Sequence, residues 1–175
     1  MKVLAIDPGY DRIGIAVVEK SEHTNFKEIL IYSECYVTDR LQDITERIYN
    51  VGQRIEYLIK ENNPDIVAIE SLFFTNNQKT AIGVSEAKGV FKYIARNMNI
   101  TVREYTPLQI KVALTGSGKA TKEQIARMVP KIIKFDMAKK ITTHGGNTSA
   151  GLDDEIDAIA VALTCFAHER TFPHS

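Results

Sequence analysis

The sequence predicts an α/β fold in which helices flank a mixed five-stranded sheet. Short β-branched runs near the beginning of the chain indicate strands, and apolar residues at three- and four-residue steps between later runs indicate helices. The length of 175 residues fits one hydrophobic core, so we expect a single domain over residues 1–175. The composition, 44% hydrophobic and 25% charged, is that of an ordinary globular protein.

The first three predicted strands form an antiparallel meander. Residues 2–6 (KVLAI) and 13–18 (IGIAVV) are β-branched runs, and a Pro8-Gly9 turn followed by polar residues separates them. That spacing is typical of a hairpin. A third run at 29–37 extends the sheet by one more antiparallel strand.

Helices alternate with strands in the middle of the chain. Apolar residues over 41–59 recur at helical steps, and the pattern ends at an Asn-Asn-Pro triplet. Buried strands at 65–70 and 100–105 follow, separated by a long helix at about 78–99. A strand that follows a crossover helix pairs in parallel, so both of these strands add to the meander in parallel.

The last third of the chain is predicted to be helical. Pro107 opens one short helix, and Thr121 opens another because Gln124 follows at the spacing of a capping box. Residues 140–151 are rich in Gly, Ser, Thr and Asn, so we expect a mobile loop there and a final helix over 152–168. No change of composition marks a boundary between domains.

The expected compartment is the cytoplasm. The first residues, MKVLAIDPG, lack the apolar run of a secretory signal, and no apolar stretch is long enough to span a bilayer. Cys35 and Cys165 lie in apolar runs of a strand and a helix, which fits buried, reduced thiols better than a disulfide or a zinc site.

Charge is distributed unevenly along the chain although its formal sum is zero. Residues 79–140 contain thirteen Lys and Arg residues but four Asp and Glu residues, a net charge of +9 that the rest of the chain balances with −9. Most charge runs are solvated helix faces. Phosphate binding also requires clustered basic residues, so this region leaves nucleic acid open as a partner.

Two carboxylates end predicted strands. Asp7 closes the first strand and Glu70 the fourth, and open α/β sheets bind their ligands at the carboxyl ends of the strands. Acids at such positions are also common as turn residues or caps, and Asp7 precedes a Pro-Gly turn. Glu70, however, stands between two apolar runs, where a lone carboxylate would be desolvated at a cost unless a cation compensated it.

The final predicted helix begins with four acids: Asp153, Asp154, Glu155 and Asp157. The helix dipole favours acids there, and we expect Asp153 to cap the helix, but capping accounts for only one or two of them. Asp154 and Asp157 are three residues apart and share a helix face beside the apolar stripe. Carboxylates this close repel one another, and a divalent cation is the simplest way to keep them ionised.

Together, these observations predict a site for two divalent metal ions with four candidate ligands: Asp7, Glu70, Asp154 and Asp157. Mg²⁺ prefers oxygen ligands, and two ions about 3.5–4 Å apart clamp the attacking and leaving oxygens when a phosphodiester is displaced in line. The sequence holds no Walker-type loop, no Gly-x-Gly-x-x-Gly and no His-Glu-x-x-His, which disfavours nucleotide-cofactor and soft-metal chemistry.

Five segments, in order and over nearly the whole chain, resemble the RuvC family of Holliday-junction resolvases. They are AIDPGYDRIGIAVV at 5–18, NPDIVAIESLFFTNN at 63–77, AIGVSEAKGV at 81–90, TPLQIKVALTGSGKATKEQI at 106–125 and DDEIDAIAVALT at 153–164. The resemblance implies a ribonuclease H-like fold and a metal-dependent homodimer, using Mg²⁺ or Mn²⁺, that nicks four-way DNA junctions symmetrically during recombination and repair. It also implies a preferred short thymine-containing sequence and cooperation with the branch-migration proteins RuvA and RuvB.

The resemblance assigns roles to individual acids. Asp7 and Glu70 match the first two catalytic acids of the family, and Asp157 matches the last. Asp154 matches a position where members of the family carry Asp or His. All four would be metal ligands.

The resemblance also marks residues that contact DNA. Phe73 matches an aromatic residue that stacks on an unpaired base, and Lys111 and Lys122 match basic residues near the scissile phosphate. Without the resemblance, Phe73 would be interpreted as core and the two lysines as helix surface. The 140–151 loop is longer than the family pattern, which leaves open whether His144 approaches the metals.

Other proteins share part of the pattern. The Asp-x-Gly turn followed by Ile-Gly-Ile-Ala also resembles the YqgF-type nucleases, which have the same fold and would act on RNA, and the phosphate loop of actin-like ATPases. An ATPase would need a second glycine-rich loop and a much longer chain, and the helix at 81–90 with the terminal Asp-x-x-Asp favours the RuvC family. A non-enzymatic binding module leaves Glu70 unexplained.

Overall fold

The computed structural model of the chain describes residues 1–20, 28–71, 78–135 and 149–171. Within these ranges the chain forms six strands and five helices: β1 (Lys2–Asp7), β2 (Arg12–Glu19), β3 (Glu28–Val37), α1 (Ile44–Asn62), β4 (Ile66–Glu70), α2 (Gln78–Asn97), β5 (Thr101–Tyr105), α3 (Pro107–Thr115), α4 (Lys122–Ile132), β6 (Ile133–Phe135) and α5 (Ser149–Thr171). Each of the five predicted strands is present, with its ends shifted by at most one residue.

One mixed sheet contains these strands in the order β5-β4-β1-β2-β3-β6. The strands β1, β2 and β3 form the predicted antiparallel meander, and β4 and β5 add to it in parallel. The predicted count of five strands is wrong because β6 pairs in parallel with the outer edge of β3. This strand has three residues and follows α4 directly, so its pattern could not be distinguished from the end of a helix.

Helices cover both faces of the sheet, and each face has its own core. The helices α1 and α2 pack on one face, against Leu4, Ile6 and Val67 among others. On the other face, α5 packs with α3 and α4 against alternate residues such as Val3 and Ala5. Burial on both faces explains why these strands are continuous apolar runs. Among the described helices, none has the length and apolar character needed to cross a bilayer.

Capping residues set the beginning of three helices. Asp43 caps α1, so the helix begins at Ile44 rather than at Leu41, which is 96% exposed. The predicted capping box of Thr121 and Gln124 is present at the start of α4. The helix α3 begins at the predicted proline.

The last helix begins earlier than predicted. Because α5 starts at Ser149, residues 149–151 belong to the helix, and Asp153 lies inside it instead of capping it. Gly151 is buried, which indicates that tertiary packing extends the helix through a segment of weak helix propensity. The rest of the predicted loop, 140–148, lies outside the described residues.

The two cysteines are buried and free, as the apolar runs around them predicted. Cys35 lies in β3 and Cys165 in α5. Burial raises the pKa of Cys165 to about 11, so it remains a neutral thiol at physiological pH.

Candidate functional site

Asp7 and Glu70 end two neighbouring parallel strands. Ile6 of β1 pairs with Ile69 of β4, so the residues that follow them lie side by side at the carboxyl edge of the sheet. Burial and the Glu70 carboxylate raise the pKa of Asp7 to about 9, and protonated Asp7 hydrogen-bonds to Glu70. Burial raises the pKa of Glu70 as well, although the hydrogen bond with Asp7 lowers it. Asp7 therefore keeps its proton at neutral pH and shares it with Glu70 through this hydrogen bond.

The helix α5 brings Asp154 and Asp157 to the same edge. Both carboxylates contribute to the raised pKa of Asp7, so all four predicted acids act on one another. Gly14, which pairs with Asp7 across the β1–β2 hairpin, permits this approach. A Cβ atom at Gly14 would lie 2.1 Å from the carbonyl oxygen of Asp154. The backbone of α5 therefore rests directly on β2.

Asp154 accepts hydrogen bonds from two side chains of the neighbouring hairpin. Arg12 Nε, at the start of β2, lies 3.0 Å from Asp154 Oδ2. The Cys35 thiol of β3 donates to the same oxygen at 3.3 Å. Burial and the Asp154 carboxylate raise the pKa of Cys35 to about 12, so the thiol stays protonated and remains a donor at neutral pH.

Asp157 forms an ion pair with Lys122. The Lys122 Nζ atom, at the start of α4, lies 2.9 Å from Asp157 Oδ2. Burial raises the pKa of Asp157, and the hydrogen bond and charge of Lys122 lower it in part. Burial lowers the pKa of Lys122, but the Asp157 carboxylate reverses that effect and the net shift is upward.

The other two acids of the predicted cluster do not join the site. Glu155 is 1% exposed and accepts a 2.6 Å hydrogen bond from Ser33 Oγ, which ties α5 to β3. Burial raises the pKa of Glu155. Asp153 is exposed. We therefore assign Glu155 to the anchoring of α5 and leave Asp153 as a surface residue.

The predicted lysines stand beside the predicted acids. A cleft of about 190 Å³ is lined by Glu70 and Asp157 together with Lys111 of α3 and Lys122 of α4. Lys111 is partly buried, and Lys122 is exposed. Two carboxylates and two ammonium groups thus border a space open to a ligand, an arrangement that suits a metal-bound phosphate.

Two predicted residues lie outside the described part of the chain. They are Phe73 and His144. The segment 72–77 joins β4 to α2, and the segment 136–148 joins β6 to α5, so both connect elements that carry or border the site. Base stacking by Phe73 and an approach of His144 to the metals stay predictions.

The turn that follows Asp7 is held by both helices of one face. Arg47 of α1 is 6% exposed and donates to the Tyr10 carbonyl oxygen and the Asp11 carboxylate. Its guanidinium also lies 4.6 Å from the centre of the Tyr10 ring. A Cβ atom at Gly83 of α2 would lie 2.8 Å from that ring, so α2 packs closely on the same turn.

Sequence reasoning missed four residues that shape the site: Arg12, Gly14, Cys35 and Lys88. Lys88 is 7% exposed, donates to Glu104 at 2.9 Å, and lowers the pKa of Glu70 through its charge. The predicted hairpin places Gly14 opposite Asp7, so the sequence alone could have indicated a close backbone approach beside this acid. The contacts with Asp154 depend on how α5 crosses the sheet, and no local pattern encodes that crossing.

The chemistry of the donor set suits a hard divalent cation. Carboxylate oxygens are the ligands that Mg²⁺ and Mn²⁺ prefer. Among the described residues, no three acidic, Cys or His side chains already converge as ligands of one ion. Arg12 holds Asp154 and Lys122 holds Asp157, so these two acids have to exchange partners when an ion binds. Burial, and after it the charge of the neighbouring acids, keeps Asp7 protonated, and a bound cation would compensate both effects.

Comparison with known proteins places the chain among junction-cleaving nucleases. Residues 3–165 match the family model described as crossover junction endodeoxyribonuclease RuvC. The chain is 37% identical to the RuvC protein of Petrotoga mobilis over 100% of its own length and 99% of the relative's. It is 39% identical to that of Caldanaerobacter subterraneus subsp. tengcongensis, over 97% of its own length and 94% of the relative's.

A solved structure shows the same fold. Thermus thermophilus RuvC in complex with Holliday junction substrate matches with a TM-score of 0.81 and 30% identity, covering 98% of this chain and 96% of that chain. A second structure of Thermus thermophilus RuvC matches with the same TM-score and identity. The ribonuclease H-like fold class predicted from the sequence is therefore confirmed, with six strands in place of five.

The shared proton predicts how Asp7→Asn changes stability. Because the pKa of Asp7 rises from 3.8 to about 9 on folding, the metal-free chain loses free energy of unfolding as pH increases through that window. Asp7→Asn removes this loss. In EDTA at about pH 8 we expect its Tm to exceed the parent's by about 2–4 °C for each 1 kcal/mol of relieved repulsion.

Thermal unfolding followed by circular dichroism at about pH 5 and about pH 8 measures this difference, which should shrink at the lower pH. Asp153→Asn is the matched control, since Asp153 is an exposed acid on the same helix as two of the predicted ligands. Equal Tm values for Asp7→Asn and the parent at both pH values would contradict the repulsion.

Proposed function

The chain belongs to the RuvC family of crossover junction endodeoxyribonucleases, and we propose that it resolves four-way DNA junctions with metal ions held by Asp7, Glu70, Asp154 and Asp157. It is a metal-dependent endonuclease that hydrolyses DNA phosphodiester bonds by paired symmetric nicks in recombination and repair. The related structure with Holliday junction substrate supports this substrate. The YqgF-type alternative is not favoured, because the family model that matches is RuvC.

The observation that carries the proposed site is the Asp7–Glu70 pair. Two adjacent strands end in carboxylates, and burial together with the charge of Glu70 keeps the Asp7 carboxyl protonated at neutral pH. Such a pair is costly to a fold unless a cation compensates it, and perturbed carboxylates of this kind concentrate at functional sites. A divalent ion bound to both carboxylates would release the shared proton.

The number and placement of the acids support our proposal of two ions per site. The pair at the strand ends and the pair on α5 supply four carboxylates, more than one Mg²⁺ ion takes from a protein. Two ions held by these residues would supply activation of a water molecule and stabilisation of the charge that develops on the phosphate. Mg²⁺ or Mn²⁺ would suit these oxygen donors.

Lys111 and Lys122 would bind backbone phosphates at the cut. Both line the cleft that Glu70 and Asp157 border. Lys122 pairs with Asp157, and if Asp157 held an ion instead, the Lys122 ammonium would be available to the phosphate of the substrate.

The helix α2 exposes two large apolar side chains along one face, in a stripe that also carries Glu86 and that would take a second copy of the chain. Ile82 is 60% exposed and Tyr93 is 70% exposed, and a Cβ atom at Gly89 would meet nothing within 4 Å. These three residues lie on one helix face. Gly83 and Ala87 of the same helix are buried within the chain and are not available to a second copy. We propose a twofold homodimer through this stripe, which would give two sites for two opposed strands.

The remaining partners follow from the resemblance to the family. A resolvase that prefers a short sequence needs the crossover to reach that sequence, and branch migration by RuvA and RuvB would bring it there. We therefore propose that the dimer acts with these proteins. The place of action would be the cytoplasm, where the DNA of its bacterial relatives is found.

The first test separates cleavage from binding. Asp7→Asn and Glu70→Gln keep the size of the side chain but lose the charge that holds the metal, so each should lower the cleavage rate by about 10³-fold or more while junction binding persists. Single-turnover cleavage in Mg²⁺ of a four-way junction, a linear duplex and an RNA–DNA hybrid measures the rate and the preference. Asp39→Asn, which changes an exposed acid outside the proposed site, should cleave like the parent. Full nicking by Asp7→Asn would exclude the proposed metal site.

The second test concerns phosphate contacts. Lys111→Ala and Lys122→Ala should each flatten the dependence of log affinity on log salt by about one unit. Phe73→Ala should weaken binding by about 1–3 kcal/mol without changing that slope, because stacking does not depend on charge. Titrations of a junction in Ca²⁺ at several salt concentrations measure both, after Ca²⁺ is shown not to support cleavage.

Lys60→Ala is the control for these titrations, because Lys60 pairs with Glu56 on the surface of α1. If Lys111→Ala and Lys122→Ala keep the parental slope and the parental cleavage rate, the two lysines are ordinary surface residues.

The third test concerns the dimer. Tyr93→Glu places a charge in the proposed stripe and should shift the chain from dimer to monomer in sedimentation at micromolar concentration. Leu41→Glu is the control, since Leu41 is 96% exposed and lies outside α1. A parent chain that sediments as a monomer, or a Tyr93→Glu variant that stays dimeric, would rule out this interface.

A further inference from the structure

We infer that Arg12 competes with metal for Asp154 and so weakens the binding of the ion that Asp154 holds, an inference that rests on the proposed metal site. Arg12 Nε lies 3.0 Å from Asp154 Oδ2. The Cys35 thiol donates to the same oxygen at 3.3 Å. In the metal-free chain that oxygen therefore already accepts from two donors, one of them cationic.

The packing of α5 builds this ion pair. Arg12 and Gly14 are two residues apart in β2, so they lie on the same face of the strand. Cys35 pairs with Gly14 across β2 and β3. The close approach of α5 that Gly14 permits thus brings Asp154 to both Arg12 and Cys35. The contact between α5 and Gly14 therefore places Asp154 at the site and also places it beside Arg12.

Competition follows from charge and from the shared oxygen. A guanidinium and a divalent ion both need the Asp154 carboxylate, and two cations beside one carboxylate repel each other. The Asp154 side chain is 18% exposed, so water screens this repulsion less than it would at an open surface. The Arg12 side chain is 44% exposed and has solvent into which it can move.

Arg12 differs in this respect from Lys122, the cation on the other acid of α5. Lys122 lines the cleft beside Glu70, where a phosphate would bind, and Arg12 is not among the residues that line it. Changes at Lys122 would alter metal and DNA binding together. Arg12 lies outside that cleft, so a change at Arg12 is the simpler test of competition for the metal.

The test measures metal binding without DNA or catalysis. Mn²⁺ is titrated into the full-length chain, and free Mn²⁺ is measured by electron paramagnetic resonance. Arg12→Gln should tighten the weaker of the two binding events by about threefold to fivefold, the scale of a partly exposed ion pair. Arg12→Lys retains the cation and should bind like the parent.

Two controls locate the effect. Arg40→Gln removes an arginine that pairs with Asp11 at 2.8 Å, outside the proposed ligand set, and should leave both affinities unchanged. In an Asp154→Asn background, Arg12→Gln should have no further effect, because the competition is for that carboxylate.

The outcomes separate this inference from the proposed site. A parent chain that binds no Mn²⁺ would overturn the metal site and the role of Arg12 with it. Two-site binding by the parent with unchanged affinities in Arg12→Gln would overturn the competition alone. Weaker binding by Arg12→Gln would also overturn it, because Arg12 would then orient Asp154 for the ion instead of opposing it.

Discussion

The burial of mutually repelling carboxylates at one edge of the sheet is the constraint on which the rest of this structure depends. Three features reduce the negative charge at this edge in the metal-free chain. Asp7 keeps a proton, Asp157 pairs with Lys122, and Asp154 pairs with a hairpin arginine. The buried ammonium of Lys88 adds positive potential from α2. Each of these features is reversible, because a metal ion can replace the proton or the paired side-chain cation.

The fold brings these acids together by means that do not depend on them. The parallel register of β1 and β4 places two strand ends side by side, and apolar burial on both faces of the sheet holds that register. The small residues Ala158, Ala160 and Ala162 let α5 lie close to the strands. Hydrophobic burial therefore supplies the free energy that offsets the repulsion, as expected where a site is unfavourable for the fold that carries it.

Local pattern was sufficient to predict most of the elements of the fold. Period-two and period-3.6 repeats predicted the first five strands and the helices, because those elements bury whole faces. The strand β6 and the start of α5 escaped prediction because both depend on tertiary contacts. Asp153 met every local condition of a cap, yet packing extended the helix beyond it.

The site was harder to predict than the fold for a geometric reason. Strand-end acids can be recognised from the sequence, because a carboxylate directly after a buried apolar run is costly unless it binds a cation. The cations that pair with the acids of α5 cannot be recognised in this way, because Arg12 and Lys122 are distant in sequence from the acids that they contact. Only the crossing of α5 over the hairpin and the approach of α4 to α5 bring such pairs together, and the family resemblance pointed to Lys122 but not to Arg12.

The contact at Gly14 has a consequence for how the sequence can change over time. The distance between the acids of the strands and the acids of α5 is set by main chain resting on main chain, with room for a hydrogen atom and no more. Apolar side chains elsewhere can be exchanged for others of similar volume without moving the acids. Substitutions of similar volume are thus compatible with the site across most of the core. At Gly14, by contrast, any side chain would push α5 away from β2 and change the spacing of the acids.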